Sequence, residues 1–574
     1  MHKAGQISQT TIEVVIVIGI VIMLNVLGQF FYTRLDLTDD KRFTLASSSK
    51  QIVSSLPERL YLKVYLTTDL PPEYQSAKER LTDLLEEYTA SANTNFIVQY
   101  IDPKDLSDDE RSALEQKGIV ESVYQTRGAD VYGERKAYFD IEIDYLETYK
   151  VIPTIPDKPN LEYEITSAII KLTSEEQPTI GFLTGHGELS REQEFKGLSD
   201  AIAELILVQD VDITNGRKIS DNIEVLVVAR PTTDLTEREK YVIDQFVMRG
   251  GRLVFMGSGV QLDQMSNQAT LMQVPMDDLL SNYGVKVNND LVVDPEYSFN
   301  VAIQVQGGMR VIKYGLFPVI LEQLGGFPSG SPATRGIGAL AFWNISSLNV
   351  LYDVVPEETE VMELMKTSEN SFSFPAPVNL DPNQDFAALA GSEKTRKLVG
   401  VQLNGVFKSA FAGKPIPALP PDPNNPTAIP EVDTDPAIES SEHTSIVVIG
   451  NGEFISEQHS KALDQLRNFN GYRPSDEVFF FNLIESLSMG DELIDIRNRA
   501  ITPRPLNPEL TPAEMNAMKF WAYAFIPLLV VILGIARFYL KAQRKRMMAA
   551  YMKAEAHEKS ASAVSRKKKG GEDE

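Results

Sequence analysis

"IEVLVVARPTTDLTEREKYVIDQFVMRGGRLVFM", residues 223–256, decides the fold class. Its opening is an almost unbroken apolar run, the pattern of a strand covered by helices on both faces. "TEREKYVIDQFVMRGG" (236–251) then reads as a helix, with Thr236 as its N-cap and Gly250 and Gly251 where it ends. "RLVFMGSG" (252–259) is the next buried strand. Strand, helix and strand in this order predict a parallel sheet wound on both faces.

The pattern extends both ways. Upstream, "PTIGFLTG" (178–185) is a strand and turn, and "REQEFKGLSDAIAEL" (191–205) an amphipathic helix. Downstream, "SIVVIGNGEFIS" (445–456) is a strand and turn, and "DEVFFFNLIESLS" (476–488) a helix. Between them the signals are mixed. "GVKVNNDLVVDP" (284–295) and "LVGVQLNGVFKSAF" (398–411) read as strands. "KPIPALPPDPNNPTAIPEVDTDP" (414–436) is a Pro- and Asp-rich surface loop without the apolar content to pack. Nearer the N-terminus, "RLYLKVYLT" (59–67), "PEYQSAKERLTDLLEEYTASA" (72–92) and "NFIVQYIDP" (95–103) form a strand–helix–strand. They predict a small α/β module of thioredoxin-like type but without C-x-x-C, which excludes thiol redox chemistry.

Two apolar segments flank this region. "VVIVIGIVIMLNVLGQFF" (14–31) carries no charge and is long enough for a bilayer core of roughly 30 Å. A cleaved signal peptide is the rival reading, but the run is long for one and no A-x-A-like site follows. "FWAYAFIPLLVVILGIARFYL" (520–540) has aromatic residues at both ends, as spanning helices do where they meet the two membrane interfaces. Lys541, Arg544, Lys545 and Arg546 follow it and predict a cytoplasmic C-terminus. Two spans place both termini inside and the bulk of the chain outside, at a bacterial inner membrane. The expected organisation is a cytoplasmic N-terminus (1–13), a transmembrane helix (14–31) and the small extracytoplasmic module (32–155). A large extracytoplasmic α/β domain (156–515), with the Pro/Asp-rich loop near 413–444, follows. A transmembrane helix (518–540) and a basic cytoplasmic tail (541–574) complete it.

The 574 residues suffice for two or three domains, and a net charge of −25 argues against nucleic acid as a partner. The chain has no cysteine, which removes disulfides, thiolate metal sites and cysteine nucleophiles. Five histidines leave little material for a metal centre. No G-x-x-x-x-G-K-[ST] occurs, so the chain brings no P-loop.

Several pieces, in order, carry a family resemblance. They are "RLDLTDDKRFTLASSSKQIVSSL" (34–56), "FLTGHGE" (182–188), "VARPTTDLTEREKYVIDQFVMRGGRLVFM" (228–256), "GVFKSAF" (405–411), "VVIGNGEFIS" (447–456), "IDIRNRAI" (494–501) and "IPLLVVILGIARF" with its basic tail. Together the chain resembles the auxiliary subunits of ABC transporters typified by the gliding-motility protein GldG. The resemblance implies a large extracytoplasmic domain of Rossmann-like, class I glutamine amidotransferase-like fold without the catalytic machinery, related to a domain of intraflagellar transport proteins. It also implies work beside a separate permease and a separate cytoplasmic ATPase, with no cofactor. "GNGEF" (450–454) departs from the Asp-containing turn of that family, having Asn451 and Glu453 instead.

Two turns are the candidate contact sites. In "GHGE", Gly185 and Gly187 permit a tight turn, and His186 and Glu188 between and after them are expected to reach solvent or a partner. A hydrolase would use His186 as base with Glu188 as its partner. The zinc deaminase signature needs cysteines, and a serine elbow needs serine where His186 stands. "GNGEF" is a partial dinucleotide fingerprint with Ile455 in place of its last small residue, and reads as a strand-to-helix turn. The sequence thus predicts a non-enzymatic, membrane-anchored auxiliary subunit of a bacterial ABC transport or gliding system. An envelope scaffold and an envelope hydrolase are the alternatives.

Overall fold

The computed structural model describes Met23, residues 44–489 with short gaps, Ile494, Ile496 and residues 512–569. The gaps are 71–73, 128–131, 154–159, 175–176, 264–266, 306–307, 329, 385, 390–393, 421–435 and 467–469. Apart from Met23, the apolar run 14–31 lies outside the described residues, as does the centre of the Pro/Asp-rich loop. The chain divides into a unit spanning 1–502 and a second spanning 503–574.

The first unit begins with a four-stranded sheet of β1 (Leu60–Leu66), β2 (Phe96–Ile101), β3 (Phe139–Tyr145) and β4 (Thr148–Ile152), in the order β2-β1-β3-β4. β1 and β2 run parallel and the other pairs antiparallel. Helix α1 (Gln75–Ser91) supplies the β1–β2 crossover. Leu81, Leu85 and Tyr88 of α1 share a core with Leu60, Leu62 and Val64 of β1 and with Ile165 and Ile169 of α2 (Leu161–Thr173).

A seven-stranded sheet follows, built from β5 (Thr179–Thr184), β6 (Leu207–Asp212), β7 (Ile223–Ala229), β8 (Arg252–Met256), β11 (Glu360–Lys366), β12 (Leu398–Gly405) and β13 (Thr444–Ile449). Its order is β11-β12-β13-β8-β7-β5-β6. The five strands from β13 to β6 are parallel, and β12 and β11 are added antiparallel. Successive residues point to opposite faces, so β7 sends Val225, Val227 and Ala229 into one core and Leu226 and Val228 into another. Phe479, Phe480, Leu483 and Ile484 of α6 (Asp476–Ser488) cover the first face. Val242, Ile243, Phe246 and Val247 of α4 (Glu237–Met248) cover the second. Both faces are covered, which is why β7 from Val225 and β13 from Ile446 are unbroken apolar runs.

Two sequence expectations change here. The helix read over 191–205 is confined to α3 (Lys196–Ile202), and residues 191–194 form turns in which Gln193 and Glu194 donate backbone N–H groups to the Ser190 carbonyl. The mixed segment between β8 and β12 holds its own core, centred on the hairpin of β9 (Ser298–Val305) and β10 (Gly308–Leu321). α5 (Glu457–Leu466) sends Leu463 and Leu466 against that core.

The second unit is one long helix, α7 (Pro512–Lys569), with Pro527 inside it. Among the described residues no single helix is long and apolar enough to cross a membrane. Ala513–Phe525 and Pro527–Ala556, bent by 43°, pass that test only as a pair. Proline removes a hydrogen bond and crowds the preceding turn, which accounts for the bend.

Candidate functional site

Because β13, β8, β7 and β5 are parallel, their carboxyl ends lie on one edge of the sheet. Both candidate turns sit there, "GHGE" after β5 and "GNGE" after β13. This is the edge at which open α/β sheets hold ligands.

In the first turn Gly185 and Gly187 have φ of +113° and +78°, a region open to glycine at no steric cost. A Cβ on Gly187 would collide with the Thr232 hydroxyl. The turn is fastened to the end of β7: Thr232 and Thr233 donate their backbone N–H groups to the His186 carbonyl at 2.8 and 3.1 Å, and Leu189 donates to the Ala229 carbonyl at 2.9 Å.

The expectation that the polar side chains reach outward is corrected by the structure. His186 is 6% exposed, and the Glu188 side chain is buried as well. Glu188 Oε2 accepts the His186 backbone N–H at 2.7 Å, while Oε1 faces Nδ1 of the imidazole at 3.4 Å. On the other side Nε2 lies 3.3 Å from Glu239 Oε1. Glu239 belongs to the capping box of α4, where its Oε2 accepts from the Thr236 backbone N–H and hydroxyl, both at 2.7 Å. One carboxylate thus caps a helix and grips the histidine. Glu188 above all, with Glu239 behind it, raises the His186 pKa above its ordinary value despite burial, which pulls it down. Both ring nitrogens lie within 3.4 Å of a carboxylate oxygen, yet Nδ1 and Glu188 Oε1 are buried and make no hydrogen bond with each other. What the turn presents outward is its glycines, both exposed.

The second turn is held differently. Asn451 is buried, and its side-chain oxygen accepts the backbone N–H groups of Glu453 and Phe454 at 2.8 and 3.0 Å. Its amide donates to the Trp343 carbonyl at 2.8 Å. An aspartate could accept those two bonds but could not make the third, which gives the departure from the Asp-containing turn a physical reason. Gly450 lies against the Ser346 carbonyl so closely that no Cβ fits between them, and Ser346 donates its N–H back to the Gly450 carbonyl at 2.9 Å. Ser347 is tied to Asp290 through its N–H (2.9 Å) and hydroxyl (2.6 Å). The chain's own segment 343–347 therefore covers the carboxyl end of β13.

Between the turns stands Arg230, the residue after β7, with φ of 55°. Its guanidinium donates to Glu194 Oε1 at 2.9 Å and lies 3.8 Å from Glu453 Oε1. Arg230, Glu194 and Glu239 were not singled out from the sequence. Arg230 and Glu194 lie within or close to the quoted stretches, but no local pattern shows that they meet.

On the far side of α4, Asp244 is fully buried and accepts from Tyr283 Oη (2.9 Å), Ser409 Oγ (2.7 Å) and the Ala410 N–H (2.9 Å). This network is what "GVFKSAF" contributes: it pins residues 409–411 over the helix. Among the described residues no group of three or more His, Asp or Glu side chains is placed to hold a metal ion.

Comparison with known proteins gives the family. Residues 177–482 match the family described as an ABC-type uncharacterized transport system, and residues 39–144 match a domain of unknown function. An uncharacterized protein of Borreliella burgdorferi is 21% identical over 554 residues, covering 94% of this chain and 99% of that protein. Among solved structures, the mmIFT52 N-terminal domain aligns at 15% identity and a TM-score of 0.31, covering 55% of this chain and 98% of that one. The exo-β-1,4-mannosidase Op5Man5 from Opitutaceae bacterium strain TAV5 aligns at 9% and 0.22, covering 72% and 50%. At such scores neither structure informs fold or function. The family match spans more than half of the chain, which therefore belongs to the auxiliary proteins of ABC-type transport systems.

Proposed function

We propose that the chain is a non-enzymatic, membrane-anchored auxiliary subunit that works beside a separate permease and a separate cytoplasmic ATPase. In this reading 14–31 and 518–540 are its anchors, the basic residues after 540 keep both termini in the cytoplasm, and the large Rossmann-like unit faces outward to meet substrate or partner. The observation that carries it is the carboxyl edge of the parallel sheet. An α/β enzyme keeps reacting groups free there. Here His186 is buried between two carboxylates, Asn451 is held by four backbone groups, and the end of β13 is covered by residues 343–347. Side chains so committed shape a rigid exterior instead of offering an acid, base or nucleophile. The lack of a P-loop assigns ATP hydrolysis to another subunit.

The test is affinity purification of the tagged full chain from detergent-solubilised membranes of its native host. A permease and an ATPase should be recovered with it in comparable amounts. Recovery of the chain alone, or with structural envelope proteins only, contradicts the transporter reading. A turnover that disappears in His186→Ala while the fold persists supports the hydrolase instead.

A further inference from the structure

We propose that the hairpin of β9 and β10 is a membrane-surface arm whose outer face rests on anionic lipid headgroups. Its register pairs Asn300 with Lys313, Ala302 with Val311 and Gln304 with Met309. Residues directly opposite in a ladder share a face, so these six lie on one side. The other side carries Ile312, opposite Val301, and Ile303, opposite Arg310; both isoleucines pack on the core beneath, while Arg310, nearer the tip, is exposed. The inner face is thus fixed to the body at Ile303 and Ile312, and the outer one is open toward the tip, where Met309 is 71% exposed and Val311 46%, while Asn300 at its base is part-buried beside Asn470.

Charge distinguishes this arm from the acidic chain as a whole. The chain carries −25 overall, yet no Asp or Glu occurs between Glu296 and Glu322, and Arg310 and Lys313 are both exposed. An acidic protein is repelled from an anionic bilayer wherever its carboxylates come within a Debye length, about 8 Å in physiological salt. The arm is where approach costs least and where basic residues flank exposed apolar ones, the composition of elements that lie in the lipid interface. Addition of a partner strand would use the backbone edge of β9 and would leave Met309 and Val311 unexplained, so the outer face favours lipid. This inference does not depend on the transporter reading.

The absence of cysteine makes the test direct, because Met309→Cys introduces a unique thiol. The full chain carrying a polarity-sensitive fluorophore at that position is reconstituted in phosphatidylcholine vesicles with and without phosphatidylglycerol. With phosphatidylglycerol, the emission should shift to the blue and be quenched by brominated lipid. Both effects should be lost on adding Arg310→Glu and Lys313→Glu, with an unchanged melting temperature. A label at Tyr352→Cys, on an exposed residue outside the arm, should stay aqueous throughout. A Met309 label as wet as the Tyr352 label overturns the proposal. So does an equal shift in neutral vesicles. A shift that follows protein concentration in lipid-free detergent also overturns it, and assigns the arm to a second copy of the chain.

Discussion

The two turns at the carboxyl edge look alike in sequence, Gly-His-Gly-Glu and Gly-Asn-Gly-Glu, and each ends a parallel strand. The first is held by charge. An imidazole stands between Glu188 and Glu239, in a site nearly closed to water. The second is held by a neutral amide that uses both its oxygen and its nitrogen. Their terminal glutamates differ as well: Glu188 folds back into the protein, whereas Glu453 stays half exposed and only approaches Arg230. Similar motifs on one edge thus acquire different physics, and the residues opposite them decide which. The first turn should respond to pH and to loss of its cation, the second to shape.

The sharpest contrast comes from emptying each turn. His186→Ala leaves Glu188 and Glu239 buried without the imidazole between them, and removing one partner of a buried pair in this way costs about 3 kcal/mol. Chemical denaturation of the solubilised chain should show that loss. A change below about 0.5 kcal/mol, the size usual for exposed positions, would mean that the histidine does not hold the turn. Gly450→Ala should be nearly as damaging, at roughly 2–3 kcal/mol, because the added methyl meets the Ser346 backbone, which cannot rotate away. Gly187→Ala meets a threonine side chain that can turn, so its cost, about 1–2 kcal/mol, is chiefly the positive φ. Calorimetry that ranks Gly187→Ala above Gly450→Ala would reverse this account of the second turn.

Asn451→Asp keeps the acceptor but removes the donor to Trp343, and should cost about 1–2 kcal/mol. Stability equal to wild type would show that the amide donation is dispensable. The smallest effect is expected of Glu453→Gln. Its contact with Arg230 is long and partly solvated, so the unfolding free energy should move by less than about 0.5 kcal/mol.

Legibility from sequence follows the same division. The strand at 223–229, the capped helix Glu237–Met248 and the strand at 252–256 were readable because their patterns are local: apolar runs, Thr236 at the cap, glycine at the end. The two glycines of the first turn were readable for the same reason. The direction of His186 was not, because it depends on Glu239, more than fifty residues further along the chain. Helix α4 makes the point again. Arg238, Glu239, Lys240, Asp244 and Gln245 are polar, yet all are buried. Their partners, among them the Gly216 carbonyl, Asp278, Ser409 and Ile438, come from remote segments folded over the helix. The segment between β8 and β12 resisted reading because its strands pair across long insertions, as Asp290–Val293 does with Phe372–Pro375, and no local signal announces such a partner.

The central claim is that the charged cluster at "GHGE" is a structural clasp. Its most direct test is the unfolding free energy of wild type and His186→Ala as pH rises from about 6 to about 9. The folded-state pKa of His186 lies above its ordinary 6.5. The stabilisation linked to its protonation is therefore complete below about pH 6.5 and is lost as pH climbs through the raised value. The account predicts that wild type loses stability across this window while His186→Ala, already weaker, loses less, so that the two curves converge. Parallel curves, or a variant as stable as wild type that has lost a measurable turnover, would contradict it.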